Sequence, residues 1–188
     1  MINNQTGFAG IVVDMQTDFL KDFQLIKREE MIIEQLKAIG ELQGYGIPMF
    51  VLEYKDHGET EERIRDAICY LGKIEPIIKE KESGFSNKHL EKILDKLNAR
   101  NIILMGINSS ACVIETAKGA KQRKYQVISA ETIMGDTYKI DNELQVIVKN
   151  IEGSTIKESL DWYNENTYLF ANSERLCNYV KENISKQN

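Results

Sequence analysis

Short apolar runs alternate with amphipathic stretches along most of the chain. The run from Phe8 to Val13 is almost entirely apolar, which is typical of a strand that is covered on both faces. Apolar side chains then recur at helical spacing, as at Ile32, Leu36 and Ile39. This alternation predicts strands at 8–13, 47–52, 75–78, 101–105, 125–129 and 168–170. It predicts helices around 32–39, 64–71, 90–97, 113–120, 144–148, 156–163 and 176–180.

Strands that alternate with helices of this length indicate βαβ units. We therefore expect an α/β fold with a doubly wound, mostly parallel sheet and helices on both faces. The chain has 188 residues and shows no repeat or linker, so a single domain over residues 1–188 is the simplest expectation. In such sheets ligands bind beyond the carboxyl ends of the strands, near the point where the strand order reverses.

Composition narrows the class of partner. The formal net charge of −5 argues against nucleic acid and anionic membranes as main partners, because both favour basic surfaces. The three cysteines are too scattered for a disulfide framework and lack metal-ligand spacing. The first residues show no basic region followed by a long apolar stretch. A reduced, cytoplasmic setting is the resulting expectation.

Three strand ends carry residues suited to chemistry. Asp14 follows the first strand, Lys79 ends the third, and Cys112 opens the helix after the fourth. Each has a simpler interpretation, as a turn cap, a charged turn or an inert buried thiol. Free N–H groups at a helix start, and a neighbouring lysine, would favour the thiolate form of Cys112. Because strand one typically lies beside strand four, a base, a cation and a nucleophile are predicted to converge.

Three motifs at these positions resemble those of the isochorismatase-like cysteine hydrolases, which include nicotinamidases and related amidases. They are "DMQTDF" from Asp14, "KEKESGF" from Lys79 and "GINSSACVIETAKGA" from Gly106. The resemblance implies that Cys112 is the nucleophile, Asp14 the general acid/base and Lys79 the residue that polarises the pair. Lys81 competes with Lys79, but the following Ser-Gly-Phe favours Lys79.

The resemblance also implies a cis peptide bond between Asn108 and Ser109, and an oxyanion hole made by the N–H groups of Ser109 and Cys112. It implies a dimer or tetramer, to which the aromatic residues of 162–170 would contribute either an interface or core packing. The segment 134–138 is a candidate flap. The expected substrate-binding residues are Phe19, Tyr54, Phe85, Ile107 and Asn108.

No metal and no other cofactor are expected. Asp56 and His57 are adjacent, whereas metal-binding relatives space these ligands by one residue, and His89 is the chain's other histidine. The predicted function is hydrolysis of a small amide or related C–N bond through a thioester at Cys112. The alternatives are hydrolysis of a vinyl ether, as on isochorismate, which would leave Cys112 idle, and a non-catalytic module that binds a small ligand or senses oxidants. Dinucleotide binding is disfavoured because no Gly-x-Gly-x-x-Gly follows the first strand.

Overall fold

A computed structural model describes residues 6–69, 75–141, 146–149, 153 and 155–186. The strands are β1 Phe8–Val13, β2 Met49–Tyr54, β3 Ile77–Lys79, β4 Asn101–Ile107, β5 Gln126–Ala130, β6 Met134–Gly135, β7 Tyr138–Asp141, β8 Val146–Lys149 and β9 Tyr168–Phe170. The helices are α1 Thr17–Leu20, α2 Leu25–Gly44, α3 Glu62–Cys69, α4 Lys88–Lys96, α5 Ile114–Gln122, α6 Lys157–Asn166 and α7 Ser173–Ser185.

Seven strands form one parallel sheet. Its order is β3-β2-β1-β4-β5-β9, and β6 pairs with the end of β4. All six residues of β1 are buried, as expected for a strand covered on both faces. The doubly wound α/β fold is therefore confirmed. The strand order reverses between β1 and β4, so the carboxyl ends of these two strands flank the position where ligands usually bind.

The helices pack in two groups. Helix α2 contacts α3 and α7, whereas α4 and α5 both contact the 3-10 turn Gly84–Ser86. None of the described helices combines the length and the apolar character that crossing a bilayer requires.

Glycine is required where β4 passes the end of β1. Gly106 has φ +126°, and a Cβ atom there would lie 2.1 Å from the carbonyl oxygen of Val13. That close approach brings the residues after β4 beside Asp14, which follows Val13.

The helix predicted around 144–148 is wrong. Ile147 and Val148 belong to β8, which pairs with β7 as an antiparallel two-stranded sheet. Three consecutive β-branched residues, Val146 to Val148, favour a strand locally, and this preference outweighs the short helical spacing. Leu144 and Leu71, which were assigned to predicted helices, lie outside the described residues.

Candidate active site

The side chains of Asp14, Lys79 and Cys112 meet at the carboxyl edge of the sheet. Lys79 Nζ lies 2.8 Å from Asp14 Oδ2, and the two side chains are 0% and 1% exposed. Cys112 lies in a π-helical turn, Ser109–Val113, directly after β4. Its thiol lies beside the Asp14 carboxylate, and this neighbour lowers the pKa of the carboxyl group. The structure thus brings together the three residues singled out as nucleophile, acid/base and cation.

The electrostatics of this cluster favour a neutral thiol at rest. Burial raises the pKa of Asp14, while Lys79 and the Cys112 thiol lower it, with a smaller contribution from His57. Burial and the charge of Asp14 raise the pKa of Cys112 well above its ordinary range, and Lys79 opposes this in part. The expectation of a favoured thiolate considered Lys79 and the helix start but omitted desolvation, which dominates here.

Lys79 rather than Lys81 faces the carboxylate. Lys79 Nζ donates to the carbonyl oxygen of Lys81 at 3.2 Å and lies 4.3 Å from the ring centroid of Tyr54. The Lys81 residue itself is exposed. The contact between Lys79 and Asp14 is a close charge contact without well-directed hydrogen-bond geometry, so both carboxylate oxygens keep acceptor capacity.

An aromatic group lies next to the cluster. The rings of Phe19 and His57 stack with centroids 4.5 Å apart, and Tyr54 meets His57 edge-on at 5.4 Å. Gln16 holds this loop: its side chain accepts from Tyr54 N at 2.6 Å and donates to the carbonyl oxygens of Tyr54 and Gly58 at 2.9 and 2.6 Å. His57 is a loop residue, as predicted, but its proximity to Asp14 was missed. The position of Gln16 within "DMQTDF" was the available signal for this proximity, because Gln16 binds the loop that carries His57.

Phe85 does not join the other predicted wall residues. Its ring stacks on Tyr125 at 5.9 Å and lies under the guanidinium group of Arg123 at 4.7 Å. Gly84 N donates to Thr116 Oγ1, which fixes the preceding residue against α5 and directs Phe85 along that helix. Phe85 therefore packs along α5, and these contacts give no support to the prediction that it binds substrate.

The turn that carries Cys112 is anchored on several sides. The cis peptide bond joins Ile107 to Asn108, one residue earlier than the resemblance implied, so Asn108 carries the N–H that follows it. Both residues are buried. Tyr163 Oη donates to the carbonyl oxygen of Ser109 at 2.9 Å, which places Tyr163 in the core of this chain.

The candidate flap, residues 134–138, is tied down in its described part. Met134 and Gly135 pair with β4, Thr137 donates twice to Asn108 Oδ1, and Asp136 binds the serines before Cys112. These hydrogen bonds hold the segment against β4 and the turn that carries Cys112, and its role as a flap stays a prediction. Asp136 was missed because no local motif marks it.

The cluster is nearly enclosed. Cys112 is 8% exposed, Asp14 1% and Lys79 1%. A surface cleft of about 590 Å³ lies between α2 and residues 131–134, and no member of the cluster lines it. Within the described part of the chain, no three histidine, cysteine, aspartate or glutamate side chains are grouped as a metal ion would need.

The fold and the site define an α/β protein whose parallel sheet gathers a cysteine, an aspartate and a lysine at its switch point. The model of the Isochorismatase domain matches residues 8–139, and the chain belongs to the isochorismatase family of hydrolases.

A relative in sequence and two solved structures are similar to this chain, and the solved structures support its fold. The uncharacterised isochorismatase family protein YaaI of Bacillus subtilis is 27% identical over 152 residues, which cover 72% of this chain and 84% of YaaI. The nicotinamidase SaPncA of Staphylococcus aureus superposes with a TM-score of 0.67 at 16% identity, over 88% of this chain and 99% of that one. The N-carbamoylsarcosine amidase of Thermoplasma acidophilum superposes with a TM-score of 0.66 at 17% identity, over 87% of this chain and 95% of that one.

Proposed function

We propose that the protein is a cysteine hydrolase that cleaves a small amide or related C–N bond through a thioester on Cys112. The observation that carries the proposal is the shared contact of the buried Asp14 carboxylate with the Lys79 ammonium and the Cys112 thiol. This arrangement provides a proton acceptor beside a neutral nucleophile and a cation that stabilises the acceptor's charge. The names of two structural neighbours, a nicotinamidase and an amidase, support the choice of an amide as substrate class.

Acylation begins with transfer of the thiol proton to Asp14. Burial raises the pKa of Asp14, which makes its carboxylate a stronger base than an exposed aspartate. As the proton leaves, the Cys112 sulfur forms a bond to the substrate carbonyl carbon, and the carbonyl oxygen becomes an oxyanion. Main-chain N–H groups of the turn would hold that oxyanion, with Cys112 as one donor and Ser109 as the predicted second. The C–N bond then breaks, and Asp14 returns its proton to the departing amine.

Deacylation uses the same groups in reverse. Asp14 removes a proton from water, and the resulting hydroxide attacks the thioester carbon. The C–S bond breaks to release the carboxylic acid, and Asp14 protonates the leaving sulfur. Lys79 stabilises the carboxylate each time Asp14 is deprotonated. The aromatic side chains of Phe19 and Tyr54 are the proposed walls for the acyl group.

Ammonia release from a panel of small carboxamides, carbamoyl compounds and nicotinamide tests the proposal. Cys112→Ala should abolish turnover, because no other group in the scheme attacks the carbonyl. Cys69→Ala is the matched control, since Cys69 is a partly exposed cysteine in α3. Amide turnover that survives in Cys112→Ala would contradict the proposal. Activity on a vinyl ether that needs Asp14 but not Cys112 would identify the isochorismate-type alternative, and no turnover on any substrate would favour the non-catalytic one.

A further inference from the structure

We infer that Asp136 is a positioning residue, whose buried carboxylate holds the turn Ser109–Val113 in the orientation that presents the Cys112 sulfur to Asp14. The catalytic meaning of this inference rests on the proposed function. Asp136 is 0% exposed and follows β6, the short strand that pairs with the end of β4. Asp136 and the turn therefore follow two neighbouring strands, β6 and β4, at the same edge of the sheet.

Four donors from two segments converge on the Asp136 carboxylate. Oδ1 accepts from Ser110 N at 2.7 Å and from Ser110 Oγ at 2.6 Å. Oδ2 accepts from Ser109 Oγ and from Ile156 N at 3.2 Å. Both oxygens are thus occupied by donors, as a buried carboxylate requires.

Thr137, the residue after Asp136, adds hydrogen bonds to the same part of the chain. Thr137 donates its N–H and its hydroxyl to Asn108 Oδ1, each at 2.7 Å. Asp136 and Thr137 therefore bind residues 108–110, which are the residue before the turn and the first two residues of the turn. The sulfur of Cys112 lies two residues further on, and Thr116 Oγ1 donates to the Cys112 carbonyl oxygen at 2.7 Å from the other side. None of the hydrogen bonds described for Asp136 reaches Asp14, Lys79 or Cys112, so its effect on the sulfur is indirect.

A carboxylate is needed here because the two main-chain donors bind different oxygens. Ser110 N binds Oδ1 and Ile156 N binds Oδ2. In Asp136→Asn one of these positions becomes an NH₂ group, and in either amide orientation it faces a main-chain N–H. The serine hydroxyls can rotate to accept a hydrogen bond, but a main-chain N–H has no acceptor to offer. The substitution keeps the side-chain shape and breaks one anchor of the turn.

The alkylation rate of Cys112 with iodoacetamide, read by peptide mass spectrometry, tests the inference without any substrate. Asp136→Asn should slow the reaction at neutral pH at least about tenfold, because the sulfur moves away from its proton acceptor. Asp14→Asn should slow it comparably in the wild-type background, because loss of the proton acceptor for a buried neutral thiol outweighs loss of the charge that raises the pKa of Cys112. The same substitution should have less than about a twofold further effect in the Asp136→Asn background. Glu34→Gln is the matched control: Glu34 accepts from Ser173 Oγ at 2.5 Å, on the side of the sheet where α2 meets α7. In that background the effect of Asp14→Asn should persist.

A second pair of variants applies if Asp136→Asn does not fold. Ser110→Ala removes one hydroxyl donor, whereas Ser110→Thr keeps it at a partly exposed position, so only the alanine variant should slow alkylation. The inference is overturned if Asp136→Asn or Ser110→Ala alkylates at the wild-type rate while Asp14→Asn still slows the reaction. It is also overturned if Asp14→Asn has no effect in the wild-type chain. If no carboxamide is hydrolysed but the alkylation differences appear, the proposed function fails and the positioning role stands.

Discussion

Replacing Lys79 by methionine keeps most of the side-chain length and removes the charge that lies 2.8 Å from the Asp14 carboxylate. The carboxylate then stays buried without its cation, because both side chains are at most 1% exposed in the wild-type structure. We expect Lys79→Met to lower the free energy of unfolding, and to lower it more at neutral pH than in acid.

The magnitude follows from the burial of the pair. Removing one partner of a buried ion pair typically costs ~3–5 kcal/mol when the other charge remains. Asp14 avoids part of this penalty by binding a proton. Its pKa is already raised above 3.8 by burial, so the folded state binds more protons than the unfolded state. The free energy of unfolding therefore falls as the pH rises from 3.8 to the raised pKa, and this range is the pH window in which Asp14 affects stability. Without Lys79 the pKa rises further, and each additional pH unit in the window contributes about 1.4 kcal/mol.

Urea unfolding between pH 5 and pH 8.5, followed by far-ultraviolet circular dichroism, measures this difference. Lys55→Met is the control, since Lys55 Nζ is also 2.8 Å from a carboxylate oxygen, that of Glu80, but both side chains are exposed. The control should show no measurable change, because exposed pairs are screened by solvent. A Lys79→Met protein as stable as the control at pH 8, or a loss that does not grow with pH, would refute the account of a charged Asp14 stabilised by Lys79.

Three further outcomes are expected. Asp14→Asn should reduce kcat by ~10²–10⁴ because the proton acceptor is lost. In the wild-type enzyme the acid limb of the plot of kcat against pH should lie above pH 3.8, because burial raises the pKa of Asp14. An acid limb at or below pH 3.8 would exclude Asp14 as the base. Gly106→Ala should destabilise the fold by about 3 kcal/mol or more, since its Cβ would overlap the Val13 carbonyl oxygen. By contrast, Gly40→Ala, in α2 with open space around it, should stabilise by ~0.5–1 kcal/mol; equal effects in urea unfolding would contradict this. Sedimentation should show a dimer or tetramer, as the resemblance implies, and a monomer would contradict that expectation.

The parallel sheet was predictable because its central strands are covered on both faces. Continuous apolar runs such as Phe8 to Val13 have few other stable environments, and the alternation with helical stripes implies crossover connections. The antiparallel pairing of β7 with β8 was not predictable from spacing alone. A short apolar run such as Val146 to Val148 fits a helix turn and a strand equally well.

The central part of the site was predictable because topology brings strand ends together. Asp14 and Cys112 follow the two strands that flank the switch point, and Lys79 ends β3, two strands from β1. The order of these strand ends along the chain was enough to group the three residues. The supporting residues depend on contacts far apart in the chain. Tyr163 binds the carbonyl oxygen of Ser109 from 54 positions away, and Asp136 binds the same residue from 27 positions away. Nothing local in the sequence marks such partners.

The sequence did not show how strongly burial removes water from the Cys112 thiol. A thiol at the start of a helix favours the thiolate only while water remains nearby, and Cys112 is 8% exposed. The same burial raises the pKa of Asp14, which suits the role of proton acceptor that we propose for it. Burial therefore removes the expected preference for a resting thiolate, and the proposed mechanism relies on Asp14 taking the thiol proton during attack.

Mass spectrometry of the enzyme quenched during turnover of a carboxamide tests the central claim most directly. The account predicts an added mass equal to the acyl group, carried by the peptide that contains Cys112 and absent from the peptides that contain Cys69 and Cys177. Ammonia release without any acylated Cys112, under conditions in which deacylation is slow, would contradict it.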